Sequence, residues 1–252
     1  MKYLIMNADD FGASIGINRG ILELHHCGIV TSASLMINMP AASDAVDVAT
    51  TAPGLDIGLH VTLTNEDATP LVDFNDTERC AAELQTQMER FEAVLGRRPT
   101  HIDTHQNVHR DSRLTPLFIS LARRYGLPLR EHSSVRYFSR FYGQWGGETH
   151  PEQISAEKLL SMLASEVGEG ITELSCHPGY RDPDFESVYY AEREIELRTL
   201  ADPRIPAFLK QHQIRLIGFR EMAKDSFPLH TPLVRVLDVA QGEHADAQYG
   251  KS

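Results

Sequence analysis

The stretch Tyr3-Leu4-Ile5-Met6-Asn7-Ala8-Asp9-Asp10-Phe11-Gly12 passes from apolar to acidic within ten residues. Tyr3 to Met6 has the composition of a buried strand, and two adjacent carboxylates follow almost at once. Neighbouring like charges repel unless a cation or a proton lies between them. In a β-α protein this position is the C-terminal mouth of the sheet, where sites are built. The plainer reading of the same residues is a helix start, with Asp10 or Ser14 as N-cap and Gly12 making the turn.

Working outward, short apolar runs alternate with longer segments of helical period. Strand candidates are Tyr3 to Met6, Ile29 to Met39, Asp56 to Leu63, His101 to Thr104, Leu127 to Arg130, Glu173 to Cys176 and Ile214 to Ile217. Helical patterns occupy Ile15 to His26, Ala42 to Ala49, Thr77 to Leu95, Leu114 to Tyr125, Ala156 to Val167 and Tyr189 to Leu200. In Thr77 to Leu95 the apolar residues Leu84, Met88, Phe91 and Leu95 share one helix face, and Gly96 supplies a stop. About seven β-α alternations without a break in composition predict one α/β domain of parallel strands. A closed or nearly closed (β/α) barrel fits the length, with a doubly wound sheet as the alternative. The pattern carries a domain over residues 1–225 and decays after Asp225, so 226–252 reads as a loose C-terminal extension.

The chain has 252 residues, 42% hydrophobic and 23% charged, which is enough apolar material for a sizeable core. Its 24 Lys plus Arg against 35 Asp plus Glu give a net charge of -11. That balance argues against nucleic acid or an anionic membrane as a partner, since phosphate contact needs clustered cations. Cys27, Cys80 and Cys176 are far apart and odd in number, so they form neither a C-x-x-C zinc pattern nor a disulfide framework. The N-terminus is too weakly apolar for a signal peptide, and no run approaches the roughly 20 residues that span a bilayer. A cytoplasmic protein is the expectation.

Twelve histidines are many for this length, and their placement matters more than their number. His60 interrupts the apolar strand Gly58-Leu59-His60-Val61-Thr62-Leu63. The densest cluster is His101-Ile102-Asp103-Thr104-His105-Gln106-Asn107-Val108-His109. On a strand, His101, Asp103 and His105 would share one face, with Asp103 able to orient an imidazole. In Leu174-Ser175-Cys176-His177-Pro178-Gly179 another apolar strand ends in a histidine, here ahead of a Pro-Gly turn. One carboxylate and two imidazoles suit a divalent ion that keeps open positions for water and substrate. A second carboxylate can take a proton from that water, and a further histidine can protonate a leaving group. No G-x-S-x-G elbow, P-loop or G-x-G-x-x-G follows any strand, which leaves serine-hydrolase, NTPase and dinucleotide chemistry unsupported.

Taken together, Asn7 to Gly12, Gly58 to His60, His101 to His105 with His109, and Cys176 to Gly179 resemble the YdjC-like (ChbG/HpnK) carbohydrate deacetylase family. Thr31-Ser32 and Glu194 to Leu200 extend the likeness, which runs in order over residues 1 to 223. The resemblance implies a modified, TIM-barrel-like (β/α) barrel related to polysaccharide deacetylases. It also implies metal-dependent removal of N-acetyl groups from small amino-sugar oligosaccharides, usually with magnesium. Carried onto this chain, Asp10, His60 and His105 would be the metal ligands, Asp9 the general base and His177 the general acid. Magnesium prefers oxygen ligands, whereas two imidazoles suit zinc, cobalt or nickel better.

Some family members have histidine where this chain has Asn107, which bears on substrate contacts rather than on the metal. Asn107, His109, Arg130, Tyr142 and Trp145 are the expected substrate contacts. Tyr137, Phe138, Phe141, Tyr142 and Trp145 put five aromatics within nine residues, a loop that could stack on sugar rings or form a homodimer interface. Arg130 closes a strand and could orient the base or bind substrate. Two other functions stay open at this point: a metal-dependent hydrolase of another amide or ester bond, and a catalytically idle sugar-binding regulator.

Overall fold

Every residue from Tyr3 to Phe11 is buried, an apolar and polar run alike, as a strand covered on both faces requires. The computed structural model describes residues 1–224, and the expectation for 226–252 lies outside the described residues. In chain order the elements are β1 (Lys2–Phe11), α1 (Ile15–His26), β2 (Ser32–Leu35), α2 (Ala42–Thr51), β3 (Asp56–Val61) and α3 (Thr77–Leu95). There follow β4 (Ile102–Thr104), α4 (Thr115–Tyr125), β5 (Arg136–Phe138), the short hairpin β6 (Gln144–Trp145) and β7 (Glu148–Thr149), and α5 (Ala156–Glu166). The chain continues through β8 (Gly170–Cys176), α6 (Tyr190–Leu200), α7 (Arg204–Gln211), β9 (Ile214–Leu216) and α8 (Phe219–Lys224).

The main sheet runs β4-β3-β2-β1-β8-β5, all parallel, and β9 shares an edge of β1 with β2. It is a curled half-barrel in one domain, the parallel form of the predicted barrel rather than a doubly wound sheet. Leu127 to Arg130 does not form the expected strand. It contributes a single parallel bridge, Leu129 to Ile102, before the chain reaches β5 at the far end of the sheet. The segment 129–136 thus crosses between the two ends of the curl.

Alternation along β1 and β8 sorts the interior into layers. Leu4, Met6, Ala8, Leu174 and Cys176 join the large core shared with the helices. Tyr3, Ile5, Ile171, Ile217 and Phe219 form a separate small cluster that plugs the inside of the curl. Farther along the same inward row come Asn7, Asp9, Glu173 and Ser175, all buried and all polar. The inside is therefore apolar toward the strand N-termini and polar toward the C-termini.

Helix ends follow local chemistry. The Ser14 hydroxyl accepts from the Ile17 N–H at 3.2 Å and caps α1, so Asp10 is not needed as a cap. Asp76 caps α3, and Gly96 ends it in a left-handed conformation. From α3 the buried Gln87 exchanges hydrogen bonds with both the N–H and the C=O of Thr62, closing the end of β3 as a strand would. Among the described residues, no helix is long and apolar enough to cross a membrane.

Candidate active site

A register break in β1 brings Asp9 and Asp10 to one site. Ala8 pairs with Ala33 and Phe11 with Leu35, so three steps on β1 match two on β2. Such a bulge re-aims side chains that would otherwise alternate between faces. Asp10 sits there at φ 65°, a left-handed conformation that aspartate tolerates better than most residues. Both carboxylates consequently meet groups from the C-terminal ends of other strands.

Asp10 Oδ1 lies 3.3 Å from His60 Nε2 and 3.2 Å from His105 Nδ1, while its Oδ2 accepts from Arg193 Nη2 at 2.6 Å. Burial would raise its pKa, but Arg193, His105 and His60 outweigh that and hold the carboxyl well below its usual range. His60 Nδ1 meets Asp103 Oδ1 at 2.7 Å. Burial pulls His60 down, yet Asp103 and Asp10 win and hold the imidazole at about 10. Asp103 is in turn held by Ser34 Oγ at 2.5 Å and by Arg130 Nη2 at 2.7 Å.

Asp9 is gripped by both Arg130 Nη atoms, each at 2.8 Å, and accepts from Asn7 Nδ2 at 2.8 Å. Asn7 is fixed by Ser32 Oγ at 2.6 Å. On the other side, Asp9 Oδ2 lies 3.9 Å from His177 Nε2. The His177 backbone N–H donates to Glu196 Oε2 at 2.5 Å, and Tyr189 OH donates to Glu196 Oε1 at 2.7 Å. Burial lifts the Glu196 carboxyl to about 8 against the pull of those bonds, and burial also lowers His177. The loop carrying His177 packs backbone against α1: Tyr180 N–H donates to Gly16 O at 3.1 Å, and a Cβ on Gly20 would meet Gly179 Cα at 2.9 Å.

A family model described as YdjC-like protein matches residues 3–211. The chain belongs to the YdjC-like family. It is 37% identical over 255 residues to a carbohydrate deacetylase of Geobacillus stearothermophilus, covering 88% of this chain and 99% of that one. It is 33% identical to a chitooligosaccharide deacetylase of Serratia marcescens, covering 88% and 99%. A proposed cellobiose-phosphate cleavage protein of Enterococcus faecalis V583 superimposes with a TM-score of 0.75 at 28% identity, covering 88% and 98%. A peptidoglycan N-acetylglucosamine deacetylase shares the fold with a TM-score of 0.56 at 16% identity, covering 87% of each chain. The fold of this YdjC-like chain is thus that of polysaccharide deacetylases as well.

Asp10, His60 and His105 form a buried group whose ligand atoms all lie within 4.8 Å of one another, and it could hold a metal ion. Two features of this YdjC-like site fit a divalent cation. His105 Nε2 is buried with no hydrogen-bond partner, as an imidazole engaged through its other nitrogen can be. Among the described residues, the buried carboxylates Asp9, Asp10, Asp103 and Glu173 share two buried guanidinium groups, Arg130 and Arg193. A proton on His60 offsets part of the excess negative charge, and a divalent cation in its place would offset more.

Several sequence expectations are revised. His105 is not on β4 with Asp103; it opens a turn over His105–Arg110 in which Gln106 and Asn107 are both left-handed. That turn swings His105 toward Asp10, whereas the His101 ring stacks on Phe219 at 3.9 Å. His109 is fully buried, with Nδ1 on Thr104 and Nε2 on Glu131, so it has no nitrogen to offer a substrate. Arg130 is equally enclosed, binding Asp9, Asp103 and Glu173. Trp145 stacks on His150 at 3.6 Å, in and just after the β6–β7 hairpin. Tyr142 does reach the site, stacking on Tyr189 at 4.7 Å with its edge against the His177 ring. Asn107 is half-buried beside His105, and its Oδ1 has no hydrogen-bond partner. The sequence pattern singles out neither Arg193 nor Glu66, and Glu196 enters it only within Glu194 to Leu200. Glu192, Arg193 and Glu196 are charged yet buried on α6, and their spacing with Leu197 and Leu200 on one helix face is the only signal that marks them.

Proposed function

We propose that this protein is a metal-dependent carbohydrate deacetylase that hydrolyses the N-acetyl group of an acetylated amino sugar or short chito-oligosaccharide. The observation that carries this reading is the convergence of Asp10, His60 and His105, with Asp9 Oδ2 and His177 Nε2 facing each other at 3.9 Å beside them. The carbohydrate and chitooligosaccharide deacetylases named among its relatives support the same bond and substrate class.

Asp10, His60 and His105 would hold the ion, which when bound polarises the acetyl carbonyl and makes water more acidic. Asp9, oriented by the Arg130 fork, takes the proton of the attacking water. His177 gives a proton to the nitrogen as the C–N bond breaks, so the products are acetate and a free amine. Tyr142, against the His177 ring, is the aromatic contact best placed for a sugar. Release of acetate from N-acetylated chito-oligosaccharides, supplied with Mg2+, Zn2+, Co2+ or Ni2+, tests the reading. Asp9→Asn is expected to lower kcat about 10²–10⁴-fold while leaving metal binding intact. Full activity in that variant, or in His105→Ala, would overturn the assigned roles.

A further inference from the structure

The two imidazoles of the candidate metal centre are held differently. His60 presents Nε2 to Asp10, and its Nδ1 is fixed from inside the curl by the fully buried Asp103. His105 presents the other nitrogen, Nδ1, to the same Asp10 oxygen at 3.2 Å, and its ring stands at 71° to that of His60. With an ion at Asp10, Nδ1 is the His105 nitrogen placed to ligate it, and Nε2 would then carry the proton. Nε2 is buried and without a hydrogen-bond partner, and Glu66 Oε1 lies 3.4 Å away.

The loop that carries Glu66 is built rather than loose. Thr64 and Pro70 close it with an antiparallel bridge, and Asn65 N–H donates to Thr69 O at 2.9 Å. Gln106, directly after His105, donates from Nε2 to the carbonyls of Asn65 and Glu66 at 3.1 and 3.2 Å. Gln106 reaches them from a left-handed backbone at φ 53°, a conformation that persists where the surroundings enforce it. The β3–α3 loop and the turn after β4 are therefore tied together at the residue that follows the proposed ligand.

We propose that Glu66 is a positioning residue of the metal centre: its carboxylate accepts the Nε2–H of His105 and so fixes Nδ1 as the ligating nitrogen. This rests on the metal-centre reading given above. Imidazole ligands commonly give their second N–H to a carboxylate, and loss of that partner typically weakens metal binding about 10–100-fold. Here one imidazole has its carboxylate in the buried interior and the other has it on a rim loop, with the Glu66 side chain 27% exposed.

Titration of the metal-free full-length protein with Co2+, followed by its visible absorption, reads affinity and ligand geometry without any turnover. Glu66→Ala is expected to weaken Co2+ binding about 10–100-fold, with the thermal midpoint of the metal-free protein unchanged. Glu66→Gln is expected to stay near wild type with the same spectrum, because its amide oxygen still accepts the Nε2–H. Gln106→Ala, which unties the loop but keeps the carboxylate, is expected to fall between them. Wild-type affinity in Glu66→Ala would overturn the proposal. So would a Glu66→Gln variant as weak as Glu66→Ala with an altered spectrum, since Glu66 would then be a ligand itself. If His105→Ala bound Co2+ as tightly as wild type, the metal centre itself would be misassigned, an outcome separate from either of these.

Discussion

Gly58 has no side chain because His101 occupies that space. A Cβ on Gly58 would lie 2.2 to 2.5 Å from three atoms of the His101 ring. The ring cannot retreat, since it stacks on Phe219 and bonds Ser34 and Thr100. Gly58→Ala is therefore expected to destabilise the fold by about 1–3 kcal/mol, lowering the thermal midpoint by several degrees. An unchanged midpoint would mean that His101 has room to move. Arg130 is the opposite case, a large side chain whose removal strands its neighbours. Its guanidinium is the shared partner of Asp9, Asp103 and Glu173, all buried. Arg130→Met is expected to cost about 3–5 kcal/mol in urea unfolding, because the carboxylates left behind cannot be resolvated. Arg130→Lys, which keeps the charge but not the fork, should recover part of that stability without the two-point grip on Asp9.

At the scale of elements, α6 couples fold stability to pH through Glu196. Burial lifts this carboxyl from its ordinary 4.5 to about 8, so between those values the folded chain keeps a proton that the unfolded chain has released. The stabilisation is complete below about 4.5 and is lost as pH rises to about 8, at up to about 1.4 kcal/mol per pH unit. Glu196→Gln removes this titration. The stability of wild type relative to the variant is thus expected to fall steadily from pH 5 to 8 in urea unfolding, and a constant difference would contradict the assignment. The same helix shows where sequence reading stops. Amphipathic helices such as Thr77–Leu95 stand out because one face is apolar, and the structure has that helix with the same ends. Helix α6 runs nearly where its pattern places it, yet its buried face carries Glu192, Arg193 and Glu196, which read as solvent-facing until their partners are known. β5 escapes notice because it has only three residues and only one of them, Phe138, is buried. At the site, Asp9, Asp10, His60, His105 and His177 are legible because polar residues there interrupt or end apolar runs. The bulge in β1 and the left-handed turn after His105 carry no comparable signal, and they decide which of these side chains meet.

At the scale of the whole molecule, the curl concentrates negative charge where it most needs compensation. The apolar plug of Tyr3, Ile5, Ile171, Ile217 and Phe219 fills the interior toward the strand N-termini, so the polar groups are gathered at the C-terminal end. There the buried carboxylates outnumber the buried guanidinium groups, within a chain whose net charge is already -11. A divalent ion at Asp10, His60 and His105 would bind the folded chain and not the unfolded one, and so would stabilise it by mass action. At an ion concentration 100 times Kd the gain is about 2.7 kcal/mol. For a chain of this size that corresponds to a rise in thermal midpoint of roughly 5–10 °C over chelator-treated protein. Two imidazoles and one carboxylate favour Zn2+ or Co2+ over Mg2+, so the rise should appear at lower concentrations of the former ions. The net negative charge of the chain would attract any cation to its surface, so the decisive comparison is with Asp10→Ala and His105→Ala. Those variants are expected to lose the metal-dependent rise while keeping any general response to ionic strength. Equal shifts in wild type and both variants would move the ion away from this site.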